Sequence, residues 1–224
     1  MIVFVIAMES EAKPVIANMT CVERSDRYGR AVVTGKLCGE NTAVVVCGVG
    51  KVNAAAGTQY AIDCLGADKI VNVGVAGGLN AKTEVANIYA ICAVVQYDFD
   101  LVALNGTPMG TLNEYSEPYL PLSLTPIYPL MKVGTGDRFN DDIADFNLLT
   151  KELGADIRDM ELGAIAHVCR HANLPCYAFK AISDVAGSGS TTEQFVANLE
   201  KCALVLQDNV EKIFKAVRRN NPHH

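Results

Sequence analysis

Basic charge, histidine, long apolar runs and paired cysteines are scarce or missing in this chain, and each absence removes a class of function. Lys and Arg number 19 against 25 Asp and Glu, a formal net charge of −6. The short basic cluster Lys215 to Arg219 reads as the solvated last turn of a helix. A protein without a basic stripe is a poor binder of phosphate backbones, so no nucleic-acid partner is expected. The apolar start, Met1 to Met8, is too short to span a bilayer and lacks the basic flank of a signal peptide. Glu9 and Glu11 follow it at once, so a buried first strand is expected and no membrane association. The eight cysteines include no Cys-x-x-Cys pair. Several lie inside apolar runs such as Val44 to Cys47 and Ile91 to Val95. Most read as small buried hydrophobes in a reducing cytosol, not as a disulfide framework.

Histidine is nearly as scarce. His223 and His224 end the chain, either native or a tag remnant, and are set aside. His167 and His171 are four apart on one helix, as in a metal-binding pair. Val168 stands where a zincin would carry glutamate, and no third ligand is suggested, so no metal site is expected. No histidine remains for a Ser-His-Asp or Cys-His arrangement, and Gly187-Ser-Gly-Ser190 lacks the incoming strand of a nucleophile elbow.

What is present is a globular pattern. Half of the 224 residues are apolar and a fifth are charged, enough for one domain spanning 1–224 with a full core. Continuous apolar runs at 2–7, 42–47, 69–75, 86–96, 130–134 and 176–182 read as strands of a sheet covered on both faces. Helices are expected at Lys51 to Leu65, at Glu161 to His171 and at Ser190 to Val217. The second carries Leu162, Ile165, Ala166 and Cys169 on one face. The third opens on a Ser190/Glu193 capping box and buries a stripe from Phe195 and Leu199 through Cys202, Leu206, Val210 and Ile213 to Val217. Alternating strands and helices predict a layered α/β domain. The stretch 97–129, with five prolines, predicts a long irregular excursion of functional or interface type.

Chemistry-bearing residues collect at strand ends. Gly48-Val-Gly50-Lys51 matches neither a Walker A loop nor a dinucleotide fingerprint. It is a tight strand-to-helix turn, or a turn whose backbone touches a small ligand. Glu9 and Glu11 follow the first strand, Asp184 follows the run 176–182, and Glu161 starts a helix after the short run Ala155 to Arg158. Each alone reads as a carboxylate favoured at a helix start. Together with the glycine-rich turn Val75-Ala-Gly-Gly78, they predict acids meeting in one crevice beyond the carboxyl ends of a sheet.

Six ordered motifs carry a resemblance: Ala7-Met-Glu-Ser-Glu11, Gly48-Val-Gly-Lys-Val-Asn-Ala-Ala55, Asn72-Val-Gly-Val-Ala-Gly-Gly-Leu79, Gly136-Asp-Arg-Phe139, Asp159-Met-Glu161 through Cys169, and Ala181-Ile-Ser-Asp-Val-Ala186. The chain resembles the nucleoside phosphorylase superfamily over almost its whole length outside 97–129. Within it, the chain looks most like the 5′-methylthioadenosine/S-adenosylhomocysteine nucleosidases. The resemblance implies a three-layer α/β/α sandwich with a twisted mixed central sheet, usually a cytoplasmic homodimer. It implies hydrolysis of an adenine nucleoside without metal or organic cofactor. It assigns Glu11 to activate water, Asp184 to protonate N7 of adenine, and Glu161 with Met160 to hold the ribose. Phe139 would stack on the purine, with the backbone at Asn140 and Gly77 lining the base site. Val49, Ala76, Ser183 and Lys180 complete the expected substrate contacts. Family hydrolases usually carry serine at Val75 and arginine at Lys180, both near the attacking water. The usual phosphorylase arginine is here Asn72, which weighs against phosphate as acceptor. A futalosine-type or other purine nucleosidase, a phosphorolytic relative and a non-catalytic nucleoside-binding protein remain alternatives.

Overall fold

The computed structural model describes residues 1–220, so His223 and His224 lie outside the described residues. The chain enters through β1 (Ile2–Ile6), whose five residues are all buried. Its alternation divides the core. Val3 and Val5 face one apolar cluster, while Ile2, Phe4 and Ile6 face another. The first is covered by α2 (Lys51–Leu65) and α5 (Leu162–His171), the second by α1 (Glu9–Ala17) and α6 (Thr191–Arg219). Helices therefore cover both faces, and the expected three layers follow from an apolar run that has no polar side to show to water. Phe4 is fully buried and stacks on Phe214 of α6, ring centroids 6.4 Å apart. Truncating such a ring typically costs about 3–5 kcal/mol.

The remaining strands are β2 (Thr20–Arg27), β3 (Arg30–Leu37), β4 (Glu40–Val46), β5 (Lys69–Gly78), β6 (Ile88–Gln96), β7 (Leu120–Pro121), β8 (Leu130–Thr135), β9 (Ile157–Asp159) and β10 (Cys176–Val185). Parallel β1 joins β4 to β5, and β3 and β2 extend the β4 edge antiparallel. Beyond β5 the sheet curls back on itself. β10 runs parallel to β5 and antiparallel to β6; β6 is parallel to β8, β8 to β9, and β9 returns antiparallel to β5. Five strands thus form a closed ring, and an open wing hangs from β5.

Three features depart from the sequence reading. The hairpin β2–β3 was not anticipated: β2 is almost wholly exposed, so it has no apolar run to reveal it. α1 was not among the expected helices, though Glu9 and Glu11 sit in its first turn as helix-start carboxylates; Pro14 lies inside it. Cys21 and Cys64 are exposed, while Cys47, Cys169, Cys176 and Cys202 are buried, all as free thiols. The excursion 97–129 holds only the short helix α3 (Val102–Asn105) and β7. The helix α4 (Ile143–Asn147) runs into a π-helical turn at Leu148–Glu152. Ser190 caps α6 by accepting from the Glu193 N–H, and the stripe from Cys202 to Val217 is buried, with Phe195 and Leu199 half-buried. Among the described residues no helix is long and apolar enough to cross a membrane.

Candidate active site

A cavity of about 330 Å³ opens where the chain leaves β1, β5, β9 and β10. Of the expected site residues, Glu11, Val49, Ala76, Gly77, Phe139, Met160, Glu161, Ser183 and Asp184 line it. The sequence distance between the first and last of the three acids is closed by the parallel pairing of β1 and β10 to the same strand, β5.

Glu11 is held by main chain. It sits in the first turn of α1, and its Oε2 accepts from the Met8 N–H at 3.2 Å. Its Oε1 accepts from the Val75 N–H at 2.7 Å. A Cβ at Gly74 would lie 2.5 Å from that Oε1, so glycine there clears the carboxylate's seat. Burial pushes the Glu11 pKa up; nearby Lys180 and the two backbone donors pull against that shift by favouring the ionised form.

Asp184 is held differently. The register of β10 on β5 slips between Ile182 and Asp184, so Ser183 has no partner on β5 and Asp184 stands beside Gly77. The slip breaks strand alternation, and two consecutive residues, Ser183 and Asp184, both line the cavity. The Ser183 hydroxyl donates to Asp184 Oδ1 at 2.7 Å. The other oxygen, Oδ2, is buried and has no hydrogen-bond partner among the described residues. A Cβ at Gly77 would meet it at 2.8 Å. Arg158 Nη2 is 4.0 Å away, beyond hydrogen-bond reach. Burial raises the Asp184 pKa, against the Ser183 hydrogen bond and the Arg158 charge.

Glu161 is the residue just before α5, and its Oε1 accepts from the Gly50 N–H at 3.0 Å. Gly50, at φ 96°, takes a conformation that side-chain-bearing residues rarely adopt. The Gly48–Lys51 turn thus donates its backbone to a site carboxylate. Burial first, then the neighbouring Asp159, push the Glu161 pKa to about 7. Behind Glu161 lies a buried ion pair, Lys180 Nζ to Asp159 Oδ2 at 2.8 Å, with both side chains at most 2% exposed. Burial works against the charge on Lys180, but Asp159, Glu161 and Glu11 outweigh it and its pKa is raised. Asp159 also accepts from the Leu162 N–H and the Thr135 hydroxyl.

Residues 1–217 match the family model for the Phosphorylase superfamily. The chain belongs to that superfamily. A 5′-methylthioadenosine/S-adenosylhomocysteine nucleosidase of Anoxybacillus flavithermus is 32% identical, aligned over 76% of this chain and 79% of that one. An aminodeoxyfutalosine nucleosidase of Campylobacter jejuni is 27% identical, over 87% and 91%. The crystal structure of a 5′-methylthioadenosine/S-adenosylhomocysteine nucleosidase from Colwellia psychrerythraea, in complex with adenine, superposes at a TM-score of 0.87 with 25% identity, covering 96% of this chain and 95% of that one.

Two expected members of the superfamily site stand outside the cavity lining. Lys180 lies in mid-strand on β10 and pairs with Asp159, which itself lines the cavity. Asn140 follows Phe139, and its side-chain amide donates to Asp145 Oδ2 at 2.8 Å. Others line the cavity unforeseen: Met8, Arg138, Arg158 and Phe195. Phe195, on α6, meets the half-exposed Phe139 edge-on, centroids 5.5 Å apart. Phe195 belonged to a helical core stripe in the sequence, and nothing local marked it as facing a cavity. Arg158 sits on the three-residue β9, too short for any periodic signal. Its guanidinium is 3.1 Å from the hydroxyl of Thr191, the first residue of α6, and 3.8 Å from Asp141.

Proposed function

We propose that the chain hydrolyses the N-glycosidic bond of 5′-methylthioadenosine, S-adenosylhomocysteine or both, releasing adenine and the 5-thioribose product. The observation that carries this reading is the unpartnered, buried Asp184 Oδ2 at a cavity whose other end holds Glu11 on backbone donors. Their anchor points on β5, Gly77 and Val75, are two residues apart, roughly 6–7 Å. Two carboxyl groups of opposite role, one for the leaving group and one for water, follow the inverting logic of glycoside hydrolysis.

Asp184, whose Oδ2 has no donor to hold it ionised and whose pKa burial raises, donates a proton to N7 as the C1′–N9 bond breaks and its electron pair moves into the purine. Glu11 takes a proton from the attacking water, whose oxygen bonds to C1′. The ribose, positively charged in the transition state, lies against Glu161, which binds its hydroxyls and stabilises that charge. Met160 packs on the sugar and Phe139 on the base, with Val49, Ala76, Gly77 and Ser183 as further contacts. Lys180 acts by holding Asp159, and the Asn140 backbone beside Phe139 serves the base site. Water as acceptor is supported at the Glu11 end. Asn72 gives its amide to the Val5 carbonyl, Lys180 is bonded to Asp159, and Val75 offers only an isopropyl group.

Adenine release from either nucleoside in phosphate-free buffer tests the proposal; no release from both, or a strict need for phosphate, overturns it. The aminodeoxyfutalosine nucleosidase relative keeps a second substrate in view, and a panel varying only the 5′ group separates the two readings. A cytoplasmic homodimer in methionine salvage is part of the proposal. Val52 of α2 and Leu104 of α3 are 80% and 77% exposed. A salt bridge from Lys51 to Asp98 ties the two segments together, and their apolar surface suits a second copy; sedimentation analysis tests it.

A further inference from the structure

We infer a second, surface site on this chain: Glu114, His167 and His171 form a binding site for a divalent late first-row transition metal, with Zn²⁺ as its reference ion. The helical pair lacked a third ligand in the sequence, and the fold supplies it from the excursion. His171 Nε2 lies 3.1 Å from Glu114 Oε1 and 3.0 Å from His167 Nε2, and His167 Nε2 also contacts the same carboxylate oxygen. All three ligand atoms lie within 4.8 Å of one another. Ligands at about 2.0–2.1 Å from a tetrahedral zinc are separated by roughly 3.3 Å, close to this spacing.

With Glu114 ionised, as its lowered pKa favours, protons on the two imidazoles leave this triangle unsatisfied. If both imidazoles donate from Nε2 to the ionised Glu114, two N–H groups face each other across 3.0 Å with no lone pair between them. If either nitrogen loses its proton, its lone pair faces the carboxylate oxygen instead. A cation at the centre accepts all three lone pairs at once, with both rings neutral. Two imidazoles and one carboxylate suit zinc, nickel or copper better than magnesium or calcium, which prefer oxygen alone.

The site is also built. Glu114 sits in a turn closed by the Tyr115 N–H donating to the Leu112 carbonyl at 2.9 Å, and Leu112 and Thr111 are buried. The Tyr115 ring packs against both imidazoles, centroids 5.9 and 6.4 Å away. His171 ends α5, where the helix dipole favours a cation. Its side chain is 60% exposed, which leaves the outer coordination position to water. A metal here clasps the excursion onto the helix that begins beside Glu161.

The test uses the full chain with His223→Gln and His224→Gln, so that the terminal pair does not compete. Zn²⁺ at a hundredfold excess over its Kd raises Tm by roughly 5–10 °C. Co²⁺ gives a tetrahedral visible spectrum without the thiolate charge-transfer band that Cys21 or Cys64 would produce. Amide exchange slows across residues 111–117 when Zn²⁺ is added. His171→Gln and Glu114→Gln, both at exposed positions, keep the metal-free Tm and lose all three responses. A wild-type chain that shows no shift, a thiolate-type Co²⁺ spectrum, or responses that survive these substitutions overturns the site.

Discussion

Two carboxylates at opposite ends of one cavity are treated in opposite ways. Glu11 has both oxygens occupied by backbone N–H groups, with a buried lysine nearby. Asp184 has one oxygen on a serine hydroxyl and the other bare. Burial alone raises both, so burial does not decide their roles. The donors do: amide protons cannot be given up, and they favour a charge, whereas an unsolvated oxygen favours a proton it can pass on. The same contrast divides the departures from the family pattern. Val75 and Lys180 both belong to the Glu11 end, while the surroundings of Asp184 match the motif.

Asp184→Asn should break the comparison most severely. Its expected loss in kcat with adenine nucleosides is about 10²–10⁴-fold. A riboside with a 4-nitrophenyl leaving group needs no protonation, so this variant should recover much of its rate there while Glu11→Gln should not. Equal rescue of both, read by steady-state kinetics, would show that the two acids share one role.

Lys180→Met leaves Asp159 as a buried unpaired charge and should destabilise the fold by roughly 3–5 kcal/mol in urea titration. Lys180 holds the pKa values of Glu11 and Glu161 down. Its loss should also move the acid limb of kcat/KM to higher pH, and an unmoved limb would separate the ion pair from the water end.

Glu161→Gln should trade activity for stability. The folded chain keeps a proton on Glu161 up to about pH 7, whereas an ordinary glutamate releases it near 4.5. Between those values the folded state binds more protons, so this group's contribution to stability falls as pH rises and is lost above 7. At pH 8 the variant should be more stable than wild type by up to roughly 3 kcal/mol, and the gain should vanish at pH 4.5; thermal melts at both values check it.

Ser183→Ala is the smallest change. It removes the hydrogen bond that lowers the Asp184 pKa, so the alkaline limb of kcat/KM should move upward with little loss at its plateau. A downward move would mean that the serine supports the protonated acid.

The strands that build the site could be read from sequence because they are buried on both faces and therefore apolar without interruption. β2 could not, since it lies out on the wing in water. Its one local signal was Tyr28-Gly29, a two-residue turn with φ of 56° and 74°, between Arg27 and Arg30; both positive angles fit a hairpin of primed type. The three acids were legible because ordered motifs and strand ends marked them. The partner of Lys180 was not legible, because identity at a position says nothing of which side chain a mid-strand lysine will meet. Arg158 and Phe195 were missed because their roles come only from the ring closing and from α6 crossing it. Glu114 was invisible for the same reason, standing 53 residues from His167 in a stretch without periodicity.

The slip at Ser183 carries a consequence for how this gene can change. Along an ordinary strand, odd and even positions look in opposite directions, and that parity survives any substitution. Here one surplus residue resets the count just before Asp184. Deleting a single codon would leave sheet, core and composition nearly intact, yet it would remove the reset that brings Ser183 and Asp184 to the same wall. The acid is guarded by arithmetic as well as by its own identity. A survey of point substitutions alone would not uncover that vulnerability; a scan of single-residue deletions through 181–185 would.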